Sequence, residues 1–247
     1  MKITIVCGEQ EFYSAGAERI AAAIRTNPEA KIGLSTGRTT KGVHAALVKL
    51  CEEREIDCSR ITVFGIDEIT NMPRSCPASC YDLLLNQVVR PLRISEDRFL
   101  MPDPEAEDPL KECQEFERRV MENGGPDFIF LGLGENGHLG FNQPGTPFGR
   151  TAWLSWMDDS LDERLRRENG IPADVKMGGL TLGIKNLMQC PHLVLAANGS
   201  NKADSAAGMI EGPVTEALPA SVLQLHPDCE VILDADAAQN LSRGITG

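Results

Sequence analysis

Short apolar runs that alternate with amphipathic segments constrain this chain more than any other feature. Ile3-Thr4-Ile5-Val6, Lys31-Ile32-Gly33-Leu34-Ser35, Ile61-Thr62-Val63-Phe64 and Phe128-Ile129-Phe130-Leu131 read as strands, as do Thr151–Trp156, His192–Ala196 and Glu230–Leu233. Helical segments are expected between them, over residues 11–25, 41–54, 79–89, 105–123, 201–210 and 235–242. Ala17, Ile20, Ala21 and Ile24 share one helical face, and so do Val43, Ala46, Leu47 and Leu50. Pro91 stops the third helix, and Gly124-Gly125-Pro126 closes the fourth. Strand-helix alternation of this kind predicts an α/β fold: a Rossmann-like, open, mostly parallel sheet with helices on both faces. No linker or repeat divides the chain, so one domain over 1–247 is expected.

The balance of 24 basic against 36 acidic residues gives a net charge of −12. Such a surface repels nucleic acid and anionic membranes, so neither is an expected partner. An anionic ligand would need a site built locally from a few cations and backbone amides. No stretch has the length of a membrane span or a signal-peptide core, and a cytoplasmic location is expected. The eight cysteines contain no CxxC pair, and the histidines show no ligand spacing. Neither structural disulfides nor a metal centre is expected. A homo-oligomer is compatible with the sequence, since a surface helix can serve an interface.

In open α/β sheets ligands bind beyond the carboxyl ends of the strands. Three loops meet that condition. Thr36-Gly37-Arg38-Thr39 lies between the second strand and a helix start, where amides, hydroxyls and the helix dipole favour a phosphate. The competing reading is simple capping by Thr39 or Thr40. The loop lacks the spacing of a nucleotide P-loop and of a dinucleotide fingerprint, so no nucleotide cofactor is expected. Asp67 follows the third strand and is a candidate general base, although a helix cap has the same signature. Glu68 beside it should point away in extended backbone and carries no assigned role. The third loop, Leu131–Gly145, reads LGLGENGHLGFNQPG. It places His138 among glycines that let backbone approach a ligand, with Asn136, Asn142 and Gln143 nearby to orient the ring. Arg166 and Lys202 are further candidate cations for a phosphate. Arg166 falls in a charged stretch that reads either as a lid over about 158–177 or as a solvated surface helix.

Taken together, these motifs resemble the glucosamine-6-phosphate deaminase (isomerase) family over nearly the whole chain. The anchors are Ser35-Thr36-Gly37, Gly65-Ile66-Asp67-Glu68, Gly132–Pro144, Thr181-Leu182-Gly183, Gly199–Ala203 and Pro219–Pro227. The segment Val88–Ile94 is most similar to a galactosamine-6-phosphate isomerase branch. The resemblance implies a cofactor-independent conversion of an amino-sugar 6-phosphate and water to a ketose 6-phosphate and ammonia. It implies that Asp67 moves a proton between C2 and C1 and that His138 assists ring opening. Thr36, Gly37, Arg38, Thr39, Arg166 and Lys202 match phosphate-binding positions, and Gly137 matches a backbone amide close to the sugar.

Two positions depart from that pattern. Asn136 stands where many members have aspartate, and Gln143 where they usually have glutamate. The resemblance therefore implies an imidazole oriented by neutral amides, and less basic than one beside a carboxylate. Ala152-Trp153-Leu154 replaces a basic stretch through which some relatives are activated by an acetylated sugar phosphate, so no such activation is expected. Two rival readings remain. A 6-phosphogluconolactonase would share the fold, although Gly140-Phe141-Asn142-Gln143-Pro144 follows the histidine here in place of that family's usual run. A non-catalytic sugar-phosphate sensor would have no need of Asp67 and His138 together.

Overall fold

The structure is a computed structural model that describes residues 1–157, 162–163, 165–167 and 171–242. Seven strands form the main sheet: β1 (Lys2–Val6), β2 (Lys31–Leu34), β3 (Thr62–Gly65), β5 (Phe99–Leu100), β6 (Phe128–Gly132), β9 (Leu193–Ala197) and β10 (Cys229–Asp234). Their spatial order is β1-β10-β9-β6-β2-β3-β5, and every pairing is parallel. Successive residues of a strand face opposite sides of the sheet, and here both sides are apolar. Phe128 and Phe130 enter one core with Ile32, Val63 and Val194. Ile129 and Leu131 enter the other with Phe64, Leu195 and Val231. Strands that are apolar on both faces need cover on both. The helices α1 (Glu9–Thr26), α2 (Arg38–Glu53) and α3 (Cys80–Leu84) cover the first side. The helices α4 (Pro109–Met121), α5 (Ile184–Met188) and α6 (Ala203–Glu211) cover the second.

Local chemistry sets the helix bounds. The expected helix over 105–123 begins at Pro109, because Asp108 accepts the N–H groups of Leu110 and Lys111 and proline occupies the first turn. The one expected over 79–89 is α3 followed by a π-turn at Leu85–Val89. The helix expected over 235–242 does not form. Asp234 takes the N–H of Ala237 on its side chain, and the segment closes as separate turns. Eight residues are too few to propagate a helix without tertiary help. Among the described residues no helix is long and apolar enough to cross a membrane.

A second, three-stranded antiparallel sheet has the order β4-β8-β7 and comprises β4 (Asp67–Ile69), β8 (Gly178–Thr181) and β7 (Trp153–Trp156). Only Ile66 separates β3 of the main sheet from β4. Its N–H donates to the Leu34 carbonyl, and its own carbonyl accepts the N–H of Leu182. Asp67 pairs with Thr181 in register. It therefore sits at a hinge between two sheets that is hydrogen-bonded on both sides.

Candidate active site

The main sheet changes direction between β2 and β6. The chain runs outward through β3 and β5, then resumes on the other side of β2 with β6, β9 and β10. A crevice opens at such a switch point because the loops leave it in opposite directions. Here it is a cleft of about 940 Å³, lined by Thr36, Arg38, Asp67, His138, Gln143 and Lys202 among others. Residues far apart in the chain, from Glu9 to Lys202, thus converge on one cavity. Asn136, Gly37 and Thr39 line it as well.

The start of α2 forms part of the cleft wall. Gly37 occupies the cap position and has no side chain, and no side-chain cap bond is made. Capping by Thr39 or Thr40 is therefore set aside. The Thr40 hydroxyl donates to the Gly37 carbonyl, and the Thr39 hydroxyl donates to Asn198 Oδ1 at 2.8 Å. The first amides of a sixteen-residue helix are left for a ligand or solvent. The Arg38 guanidinium, 79% exposed, donates to Glu135 Oε1 at 2.8 Å, as does the Asn201 amide at 2.7 Å. An exposed pair of this kind contributes about 0–1 kcal/mol, so an incoming anion can displace it. Lys202 enters from the loop after β9, and its ammonium donates to the Leu133 carbonyl.

Asp67 is only 7% exposed although it lines the cleft. Burial, and then the neighbouring Glu68 charge, push its carboxyl up to about 7, while the Cys80 thiol acts weakly in the opposite direction. Such a carboxylate is poised to take and return a proton near neutrality. Glu68 does point away from the cleft. It accepts the N–H of Ile69 at 2.7 Å, of Cys80 at 2.9 Å and of Tyr81 at 2.7 Å, so it docks the first turn of α3. Burial pushes its carboxyl up to about 6 against those bonds.

His138 faces Asp67's cleft from the β6 loop. The polarity of its hydrogen bonds follows from one backbone group. The His138 N–H can only donate, and its acceptor is Asn136 Oδ1 at 3.1 Å. Asn136 is thereby fixed with its oxygen towards His138, and that oxygen lies 2.7 Å from Nδ1. Nδ1 must then carry a proton, which makes Nε2 the acceptor nitrogen of the neutral ring. The Asn136 amide nitrogen in turn donates to Gln143 Oε1 at 3.0 Å. Gln143 thus acts on the imidazole through Asn136, and its buried Nε2 has no hydrogen-bond partner among the described residues. Asn142 has a different task. Fully buried, it donates to the Leu139 and Leu182 carbonyls and accepts from the Trp153 indole, which stitches the loop to the small sheet.

Glycines make room for both reactive side chains. A Cβ at Gly134 would lie 2.4 Å from the His138 ring. At Gly140, with φ +58°, it would lie 3.1 Å from Asp67 Oδ2 and 2.9 Å from Thr181 Oγ1.

Two of the expected site residues are not among those that line the cleft. Gly137 does not line the cleft, and its N–H is spent on the Gly134 carbonyl at 3.0 Å. Arg166 is also absent from the lining. Asp162 and the carbonyls of Pro172 and Val175 hold its guanidinium. Neighbouring Leu165 reaches the cleft instead. The expected lid over 158–177 lies partly outside the described residues. Cys80, which also lines the cleft, carried no sequence signal beyond being a cysteine. No group of three or more metal-type ligands gathers among the described residues.

Fold and cleft together define an open-sheet α/β protein in which a carboxyl, an imidazole and an uncapped helix start line one cleft. The chain belongs to the family described as glucosamine-6-phosphate isomerases/6-phosphogluconolactonase, whose model matches residues 9–232. A glucosamine-6-phosphate deaminase of Clostridium botulinum (strain Kyoto / Type A2) is 31% identical over 98% of this chain and 99% of its own length. One from Streptomyces avermitilis is 34% identical, covering 98% of this chain and 93% of its own. Among solved structures, a monomeric glucosamine-6-phosphate deaminase of the NagB superfamily superposes with a TM-score of 0.93 at 29% identity, covering 97% of this chain and 100% of that one. The 6-phosphogluconolactonase of Trypanosoma cruzi shares the fold at a TM-score of 0.76 and 23% identity, over 98% of this chain and 97% of its own.

Proposed function

We propose that this protein deaminates an amino-sugar 6-phosphate, glucosamine 6-phosphate or its galactosamine epimer, yielding the ketose 6-phosphate and ammonia without a cofactor. One observation carries the reading: Asp67 and His138 line a single cleft together with the uncapped start of α2. The relatives named as deaminases support it at whole-chain coverage.

The phosphate is held by the α2 amides with Arg38 and Lys202, and this remote binding fixes the sugar's first carbons against the acid–base pair. His138 Nε2 takes the O1 proton and delivers it to the ring oxygen as the C1–O5 bond breaks. Asp67 removes the C2 proton of the open-chain aldehyde while O1 takes up a proton, giving the enolamine; Asp67 then returns its proton to C1 as the nitrogen releases one to solvent, leaving an imine at C2 and a hydroxyl at C1. Water adds to that carbon, and ammonia leaves. One base suffices for both carbons because they are adjacent.

The test is ammonia release from both epimers beside hydrolysis of 6-phosphogluconolactone. Ammonia from at least one epimer and no lactone hydrolysis is expected. Lactone hydrolysis without ammonia would replace this reading with the lactonase.

A further inference from the structure

Cys80 is used by none of these steps, yet it touches three groups that build the site. Its sulfur accepts the Thr36 hydroxyl at 3.1 Å, and its thiol donates to Asp67 Oδ1 at 3.8 Å. Its backbone N–H donates to Glu68 Oε1 at 2.9 Å. Thr36 belongs to the loop after β2 that leads into α2, and Asp67 is the base. The first turn of α3 is held by the Glu68 carboxylate through backbone bonds, so the placement of Cys80 does not depend on its own thiol.

We propose that Cys80 is a positioning residue for Asp67. Its S–H holds the Oδ1 edge, so that the Oδ2 edge, on the side of Gly140, is presented to substrate. Its contact with Thr36 ties that orientation to the phosphate loop. The proposal rests on Asp67 being the proton-transferring base.

A thiol suits the task because it is a weak donor. A carboxylate that accepts a strong charge-assisted bond loses basicity, and a base that must collect a carbon-bound proton cannot spare much. The S–H contact orients the carboxylate at small cost to its basicity. The other groups around Asp67 are Glu68 on its own strand, Thr181 on β8 and His138 on the wall of the same cleft, with the Arg74 charge acting on Glu68. Burial among them pushes the Cys80 thiol well above its ordinary range, so it remains protonated and able to donate.

The experiment compares Cys80→Ala and Cys80→Ser with the parent. Removing the donor should move the acidic limb of kcat/KM to higher pH by roughly half a unit and lower kcat several-fold, with KM little changed. The serine variant keeps a donor and should lie nearer the parent. Superimposable profiles and equal kcat in parent and Cys80→Ala would overturn the proposal.

Should the alanine variant fail to fold, the S–H stretching region of the intact parent gives a second readout by Raman difference. One S–H band should move as Asp67 titrates. It should be missing in Cys80→Ser and immobile in Asp67→Asn. No moving band would overturn the pairing. This readout needs no turnover. A moving band in a protein that releases no ammonia supports the pairing and overturns the deaminase reading instead.

Discussion

Asn136 Oδ1 accepts the backbone N–H of His138 at 3.1 Å and lies 2.7 Å from the same residue's Nδ1. This pair of contacts fixes the tautomer of the ring, and Gln143 fixes Asn136 in turn. The relay is neutral at both steps. A carboxylate at its end would favour the imidazolium. Gln143→Glu should therefore move the acidic limb of the pH–rate profile upward by about 0.5–1 unit. Identical limbs in parent and variant would show that the relay does not govern the ring's basicity.

Asp67→Asn should lower kcat by about 10²–10⁴-fold, the usual share of a general base. The same substitution should stabilise the fold in alkaline solution. The native carboxyl is raised from 3.8 to about 7, so the folded state holds its proton where the unfolded chain has lost it. Stability from this group is intact below the unfolded value and falls as pH rises towards 7, where ionisation in place begins. At 1.36 kcal/mol per unit, the penalty present at pH 8 reaches about 4 kcal/mol at most. A gain of about 1–4 kcal/mol is expected for Asp67→Asn at pH 8, shrinking to nothing near pH 4. Thermal melts at the two pH values check it, and equal differences at both would contradict it.

Inorganic phosphate should compete with substrate at the start of α2. Arg38 is exposed and, among the described residues, is held by a displaceable pair with Glu135. Arg38→Ala should weaken phosphate inhibition by about tenfold, equivalent to about 1.4 kcal/mol, and raise KM more than it lowers kcat. Unchanged inhibition constants would place the anion elsewhere.

Gly134→Ala should abolish most activity without unfolding the protein. The new methyl would occupy the space of the His138 ring, at 2.4 Å, and the ring must turn out of the cleft. Phosphate binding should persist, because α2 is untouched. Full activity in a folded Gly134→Ala protein would mean that the ring's position is not required.

The main sheet was legible because its strands are apolar on both faces. Phe128-Ile129-Phe130-Leu131 could belong only to a buried strand or helix, and the glycines after it end the run. The small sheet was hidden. Gly178-Gly179-Leu180-Thr181 carries no alternation and little β-branching, and it forms a strand because Asp67–Ile69 and Trp153–Trp156 flank it. Asp67 and His138 could be read from strand-end position and loop composition. The order in which Gln143 acts on Asn136 and Asn136 on His138 is set by a backbone N–H and could not be read in advance. Gly137 follows from a matching position alone, and Arg166 from that and from its charge in a polar stretch. A guanidinium can be satisfied by a local carboxylate and carbonyls, and an amide by its own turn, and both are.

The most direct measurement follows glucosamine 6-phosphate deuterated at C2, with ammonia and the position of the label read by NMR. The parent should release one ammonia per ketose 6-phosphate, carry part of the deuterium to C1 and lose the rest to water. Asp67→Asn should do neither at a comparable rate. Ammonia release undiminished in Asp67→Asn, or product formed with the C2 deuterium untouched, would contradict a carboxylate that moves one proton between adjacent carbons.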